Sequence, residues 1–131
     1  REYVKEAIKY WLLEYHENKG FVRFSIVDKK DGRAIGTIEM FRRESQDYYH
    51  NFGMLRLDVR SDHENTETLY QILSLIVEPF YDWFGCANIT TKAAIYAIDR
   101  IEALKKMDFV KSAEPLIGGD MRYNDYWVRE K

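Results

Sequence analysis

Hydrophobic positions along the chain recur with periods of 3.6 or 2, and the switches between the two divide it into elements. Val4, Ile8, Trp11, Leu12 and Tyr15 recur at helical spacing, away from most of Lys5, Glu6, Lys9 and Glu14, and Gly20 closes the segment, which predicts a first amphipathic helix. From Phe21 to Asp28 the period drops to two, and it resumes from Ala34 to Arg42, with Asp31-Gly32 as the positive-φ turn of a hairpin. Met54 to Arg60 alternates again, Leu55, Leu57 and Val59 on one face and Arg56, Asp58 and Arg60 on the other. Leu69, Ile72, Leu73, Ile76, Val77, Phe80 and Phe84 then mark a long helix over 66–83, which Pro79 is expected to kink or end. A β-rich segment over 88–92 follows, Ile98, Ile101 and Leu104 predict a helix up to Met107, and two strands flank the turn signal Gly118-Gly119-Asp120. Strands joined by helices in the middle and by tight turns at the ends imply an α+β domain, a mixed sheet with helices on both faces.

Composition narrows the class. With 131 residues, 46% of them hydrophobic and 15% aromatic, the chain can bury one sizeable core, so 1–131 reads as a single domain. A formal charge of -2 supplies no overall field for a polyanion or an acidic membrane, so neither nucleic acid nor a membrane is an expected partner. No apolar run approaches the roughly 20 residues of a membrane span. The single Cys86 forms no intramolecular bridge and has no Cys/His signature beside it, so it reads as a small buried hydrophobe in a cytoplasmic protein. His16, His50 and His63 stand in unrelated contexts with no i, i+4 pairing, and no metal is assigned. Tyr48, Tyr49 and Phe52 precede the central strand, where they line a pocket or cover one end of the core.

The strand Leu55-Arg56-Leu57-Asp58-Val59 feeding a long helix, then Ile89-Thr90-Thr91-Lys92-Ala93, then Leu104-Lys105-Lys106-Met107-Asp108-Phe109, resembles in its order the GNAT superfamily of acyl-CoA-dependent N-acyltransferases. The closing Tyr123-Asn124-Asp125-Tyr126-Trp127-Val128 is similar to the last strand of its ribosomal-protein and small-molecule acetylating branches. The resemblance covers most of the chain and places the family's first strand and helix before Arg1, so the chain reads as N-terminally truncated. It implies acetyl-CoA as co-substrate, gripped at the turn between the central strand and the next helix, with contacts from Leu57, Val59 and Arg60 of the strand and Ser61, Asn65 and Thr66 of the turn. Here the sequence departs from the family. Its glycine-rich pattern falls on Glu64, Glu67 and Leu69, no glycine occurs between Gly53 and Gly85, and Asp62, Glu64 and Glu67 set carboxylates where an anion would lie. The pyrophosphate loop is therefore degenerate. The same residues read equally as a helix start, with Ser61, Asp62 and Thr66 as capping residues.

Acyl transfer to an amine needs a base and oxyanion donors. Asp58 on the central strand and Glu39 on the preceding one are the candidate bases, the backbone N–H of Val59 or Arg60 the candidate donor. Asp58 could instead pair with Arg56 or Arg60, and Glu39 could be a solvated strand residue. The family's cofactor-side Asn falls on Ala97 and its proton-donating Tyr on Leu104, leaving Tyr96 as a substitute hydroxyl or a packing aromatic. Two functions follow: acetyl transfer from acetyl-CoA to a small-molecule or peptide amine, or a non-catalytic GNAT-like domain that has lost coenzyme A binding and serves as a binding or assembly module. A homodimer is left open.

Overall fold

The computed structural model describes residues 2–4, 10–18, 21–30 and 32–131. Alternation builds its sheet: β3 (Phe21–Asp28) and β4 (Ala34–Arg42) pair antiparallel around Gly32, whose φ is +71°, and β5 (Gly53–Val59) adds to β4 antiparallel. Between Ile26 and Val27 the β3–β4 register shifts by one residue, and this bulge lets both Ile35 and Ile38 reach the core although they stand three apart. Gly36 sits beside it because a Cβ there would lie 2.2 Å from the Asp58 carbonyl oxygen.

Among the described residues the expected first helix is not formed. Glu2–Val4 is β1 and Tyr10–Asn18 is β2, antiparallel to β3 in a register that sets Trp11 opposite Val27 and Leu12 opposite Ile26, while Ile8 and Gly20 lie outside the described residues. Adjacent Trp11, Leu12 and Leu13 satisfy either period, and the neighbouring edge of β3 offers backbone partners that a lone helix would not have.

Past β5, Ser61–His63 makes a short 3-10 turn and α1 runs over Thr66–Phe84. Its cap is Asn65, whose Oδ1 accepts from Thr68 N at 2.9 Å, rather than Ser61, Asp62 or Thr66, and Gly85 at φ +62° ends it. Pro79 does not end the helix, which continues five residues beyond it. Then come β6 (Asn88–Lys92), α2 (Ile98–Lys106), β7 (Val110–Lys111), the ribbon β8 (Leu116–Gly118) with β9 (Met121–Tyr123), and β10 (Tyr126–Glu130). The main sheet of eight strands has the order β1-β2-β3-β4-β5-β6-β10-β7, β5 lying inside it and parallel to β6.

Helices were expected on both faces, but the two described ones share a face. β6 and β7 both run antiparallel to β10, so β5-α1-β6 and β6-α2-β7 are two parallel crossovers stepping the same way along the sheet. Right-handedness puts both helices on one side. There Leu69, Ile72, Leu73, Ile76 and Phe80 of α1 and Leu104 of α2 bury against Phe24, Ile38, Leu55, Leu57, Ile89 and Trp127. The opposite face carries a smaller cluster of Tyr49, Met54, Leu116 and Tyr126. Among the described residues no helix is long and apolar enough to cross a membrane.

Candidate active site

β5 and β6 pair only at Gly53–Ile89 and Met54–Thr90, after which β6 stays with β10 and β5 with β4. The parting opens a cleft of about 240 Å³ walled by Met54 to Asp58 of β5, Thr91 and Lys92 of β6, Arg100 and Tyr126. At the two ends of β5, Phe52 O and Arg60 N bond toward β4, so the even-numbered residues face β4 and the N–H and C=O groups of Leu57 and Val59 face the cleft. The side chains of Leu57 and Val59 lie in the core, and what these two positions offer to a ligand is backbone.

One of those cleft-facing groups is already taken. Arg100, at the start of α2, donates from Nη1 to Leu57 O at 2.6 Å and from Nε and Nη2 to the two Glu64 carboxylate oxygens, both at 2.8 Å. Beside it the Thr66 hydroxyl donates to Asp99 Oδ1 at 2.7 Å. The two helix starts are thus fastened together across the end of β5. Arg100 was not a candidate in the sequence because its partners lie 36 and 43 positions away, beyond any local pattern.

The remaining residues of the turn are largely committed within the protein. Asn65 caps α1, Glu67 accepts from Gln71 at 3.0 Å, and Arg60 pairs with Asp62 at 2.9 Å. The hydrogen bond with His63, then the charge of Arg60, hold the Asp62 carboxyl below its usual value against slight desolvation. Of the donors expected to meet a pyrophosphate, only Ser61 has neither a side-chain hydrogen bond nor an ion pair among the described residues.

Of the candidate catalytic groups, Asp58 reaches the cleft. It is exposed on the face of the sheet opposite the helices, across from Thr37, and forms no ion pair among the described residues. Glu39 does not reach it: Arg23 Nε grips its carboxylate at 3.0 Å and Arg56 stands 3.6 Å from it. Tyr96 is 84% exposed on the turn before α2, outside the cleft, and Leu104 is buried in the core. Among the residues lining the cleft, Thr91 and Tyr126 carry hydroxyls, and the pKa of Tyr126 is raised by burial despite the nearby charges of Arg56 and Arg43. Lys92 also lines the cleft, its Nζ 5.5 Å over the Tyr123 ring. Alternation from Ile89 would have placed Lys92 on the face away from the helices, as the alternation of 54–60 places Asp58, and only the pairing of β10 brings Tyr126 beside Lys92.

No protein-family model and no curated protein matches this sequence. Solved structures do. A spermidine N-acetyltransferase of Vibrio cholerae, described as dodecameric, superposes at a TM-score of 0.62 with 14% identity, covering 86% of this chain and 66% of its own. A chimera of that enzyme gives 0.59 and 15% over 86% and 65%, and a Vibrio cholerae protein assigned as a ribosomal-protein-serine acetyltransferase gives 0.62 and 8% over 85% and 64%. The chain therefore spans a little under two thirds of these structures. Strand order, the parting of β5 and β6, and these superpositions agree that the chain has the fold of the GNAT acetyltransferases.

Proposed function

We propose that this chain moves an acetyl group from acetyl-CoA to an amine, as an N-acetyltransferase-like protein. The observation that carries this reading is the parting of β5 and β6, which sets cleft-facing strand backbone beside the carboxylate of Asp58. In the proposed transfer a C–N bond forms at the thioester carbonyl and the C–S bond breaks. Asp58 takes the ammonium proton, directly or through water, the N–H groups of Leu57 and Val59 face the acyl oxygen, and the Tyr126 hydroxyl returns a proton toward the departing sulfur. Glu39, held by Arg23, serves the sheet, and Tyr96 serves neither step.

The acyl half of acetyl-CoA fits the cleft better than its phosphate half fits the turn, where the Thr66 hydroxyl is committed to Asp99 and Arg60 and Arg100 face carboxylates. The reading therefore expects weak coenzyme binding. The same bridge of Arg100 to Glu64 and Leu57 favours a second reading, a non-catalytic GNAT-like domain acting as a binding or assembly module. Calorimetric titration of the full chain with acetyl-CoA, followed by a free-thiol assay with amines, separates the two. Binding with turnover that Asp58→Asn removes supports the first, and no binding by native chain or Glu64→Gln supports the second.

A further inference from the structure

We infer that the acceptor of this cleft is an amine that also carries an anionic group, a carboxylate or a phosphate, and that Lys92 is the main cation recognising it. The inference rests on the acyl-transfer reading for the amine, and on the charges of the cleft wall for the anion. Three of the residues lining the cleft are cations, Arg56, Lys92 and Arg100, against one carboxylate, Asp58. This reverses the sign of the whole chain, whose formal charge is -2. The three cations are not equally free. Arg100 is matched by the bidentate contact with Glu64. Arg56 stands 3.6 Å from the Glu39 carboxylate, which Arg23 holds more closely, and its guanidinium lies 5.3 Å over the Phe41 ring. Lys92 has no carboxylate within ion-pairing distance among the described residues and rests on the face of Tyr123.

Asp58, Arg56 and Lys92 all stand on the face away from the helices, the first two on β5 and the third across the parting on β6. The wall is bipolar: a base for the amine on one strand, an unmatched ammonium with three donors on the other. A zwitterionic acceptor satisfies both ends. A linear polycation satisfies only Asp58 and sets its remaining charges against Lys92 and Arg56.

The test uses the full chain with acetyl-CoA and three acceptors, 2-aminoethyl phosphate, L-glutamate and spermidine, read by release of free thiol, together with calorimetric binding of the first two acceptors alone. At least one anionic amine is expected to show a kcat/KM ten times that of spermidine or more. Lys92→Gln and Lys92→Glu are expected to raise its KM about tenfold or more with kcat nearly unchanged, an effect that shrinks with added salt, whereas Lys105→Glu on α2 leaves it alone. A preference for spermidine, or a KM for the anionic amines indifferent to Lys92, overturns the inference and leaves acyl transfer standing. Lys92-dependent binding of an anionic amine without any turnover overturns acyl transfer and supports the anion site. Absence of both binding and turnover with the anionic amines overturns the inference as well.

Discussion

Arg100 holds Glu64 by two hydrogen bonds of 2.8 Å while its remaining nitrogen reaches the Leu57 carbonyl, so one side chain ties α2 to the turn before α1 and to the strand that walls the cleft. Both side chains are mostly buried, at 15% and 26% exposure, and removal of either partner leaves the other desolvated and unmatched. Glu64→Gln should lower unfolding free energy by about 1–3 kcal/mol in a urea titration. Glu64→Arg should cost more, although it improves the charge count of the turn toward an anion, because it sets two guanidiniums against each other. Equal midpoints for native chain and Glu64→Gln would show the bridge to be energetically idle.

Asp58→Asn keeps shape and removes the base. Turnover should fall about a hundredfold or more, with acetyl-CoA affinity nearly unchanged. Glu39→Gln should behave in the opposite way, leaving turnover within a few-fold while loosening the β3–β4–β5 surface held by Arg23. Native turnover in Asp58→Asn across pH 6 to 9 would remove the carboxylate from the mechanism.

Acid stability should depend on Asp47. Burial alone would raise its carboxyl, but hydrogen bonds from Arg43, Ser45 and the Ile117 N–H, together with the charge of Arg43, hold it well below the usual carboxylate range. A depressed native pKa means that the ionised form stabilises the fold fully above the unfolded value near ~3.9 and that this contribution is lost as pH falls below it. The chain should therefore weaken steadily below about pH 4. Asp47→Asn should cost about 2–3 kcal/mol at pH 7 and flatten that acid limb, as followed by circular dichroism.

Gly36→Ala should act on the cleft without touching a ligand. Its methyl would meet the Asp58 carbonyl oxygen at 2.2 Å, backbone against backbone strand, so β4 and β5 must separate. A loss of about 1–3 kcal/mol in stability is expected, with a fall in kcat that follows the displacement of Asp58. The kinetic part fails if Gly36→Ala loses stability and keeps native kcat.

Much of the frame is readable from residue order. The Leu69, Ile72, Leu73, Ile76 stripe marks α1 to within one residue of its end, and the alternation of 54–60 divides β5 into a core face and an exposed face as observed. The first strands are hidden because Val4 to Tyr15 fits both periods and its partner is set by β3. Within the site, Asp58 is legible by alternation alone. The Arg100–Glu64 pair is not, since it exists only once α2 has been laid against the end of β5, and Tyr126 joins the cleft only through its pairing with Lys92. Capping shows a smaller limit: four polar residues compete at the turn, and geometry selects Asn65.

β10 lies between β6 and β7 although it follows both in the chain, and Arg129 on it reaches Met107 O at 2.7 Å, Tyr81 and Glu78. On the ribosome, β6 and β7 are made first and must wait, each with a bare edge, until residues 126–130 have emerged to fill the slot between them. Trp127 reaches the helix-side core in the same step. A nascent chain that stalls before this point holds both flanking strands and none of their seal, so the interval before Tyr126 is the one in which two strand edges stand open to wrong partners.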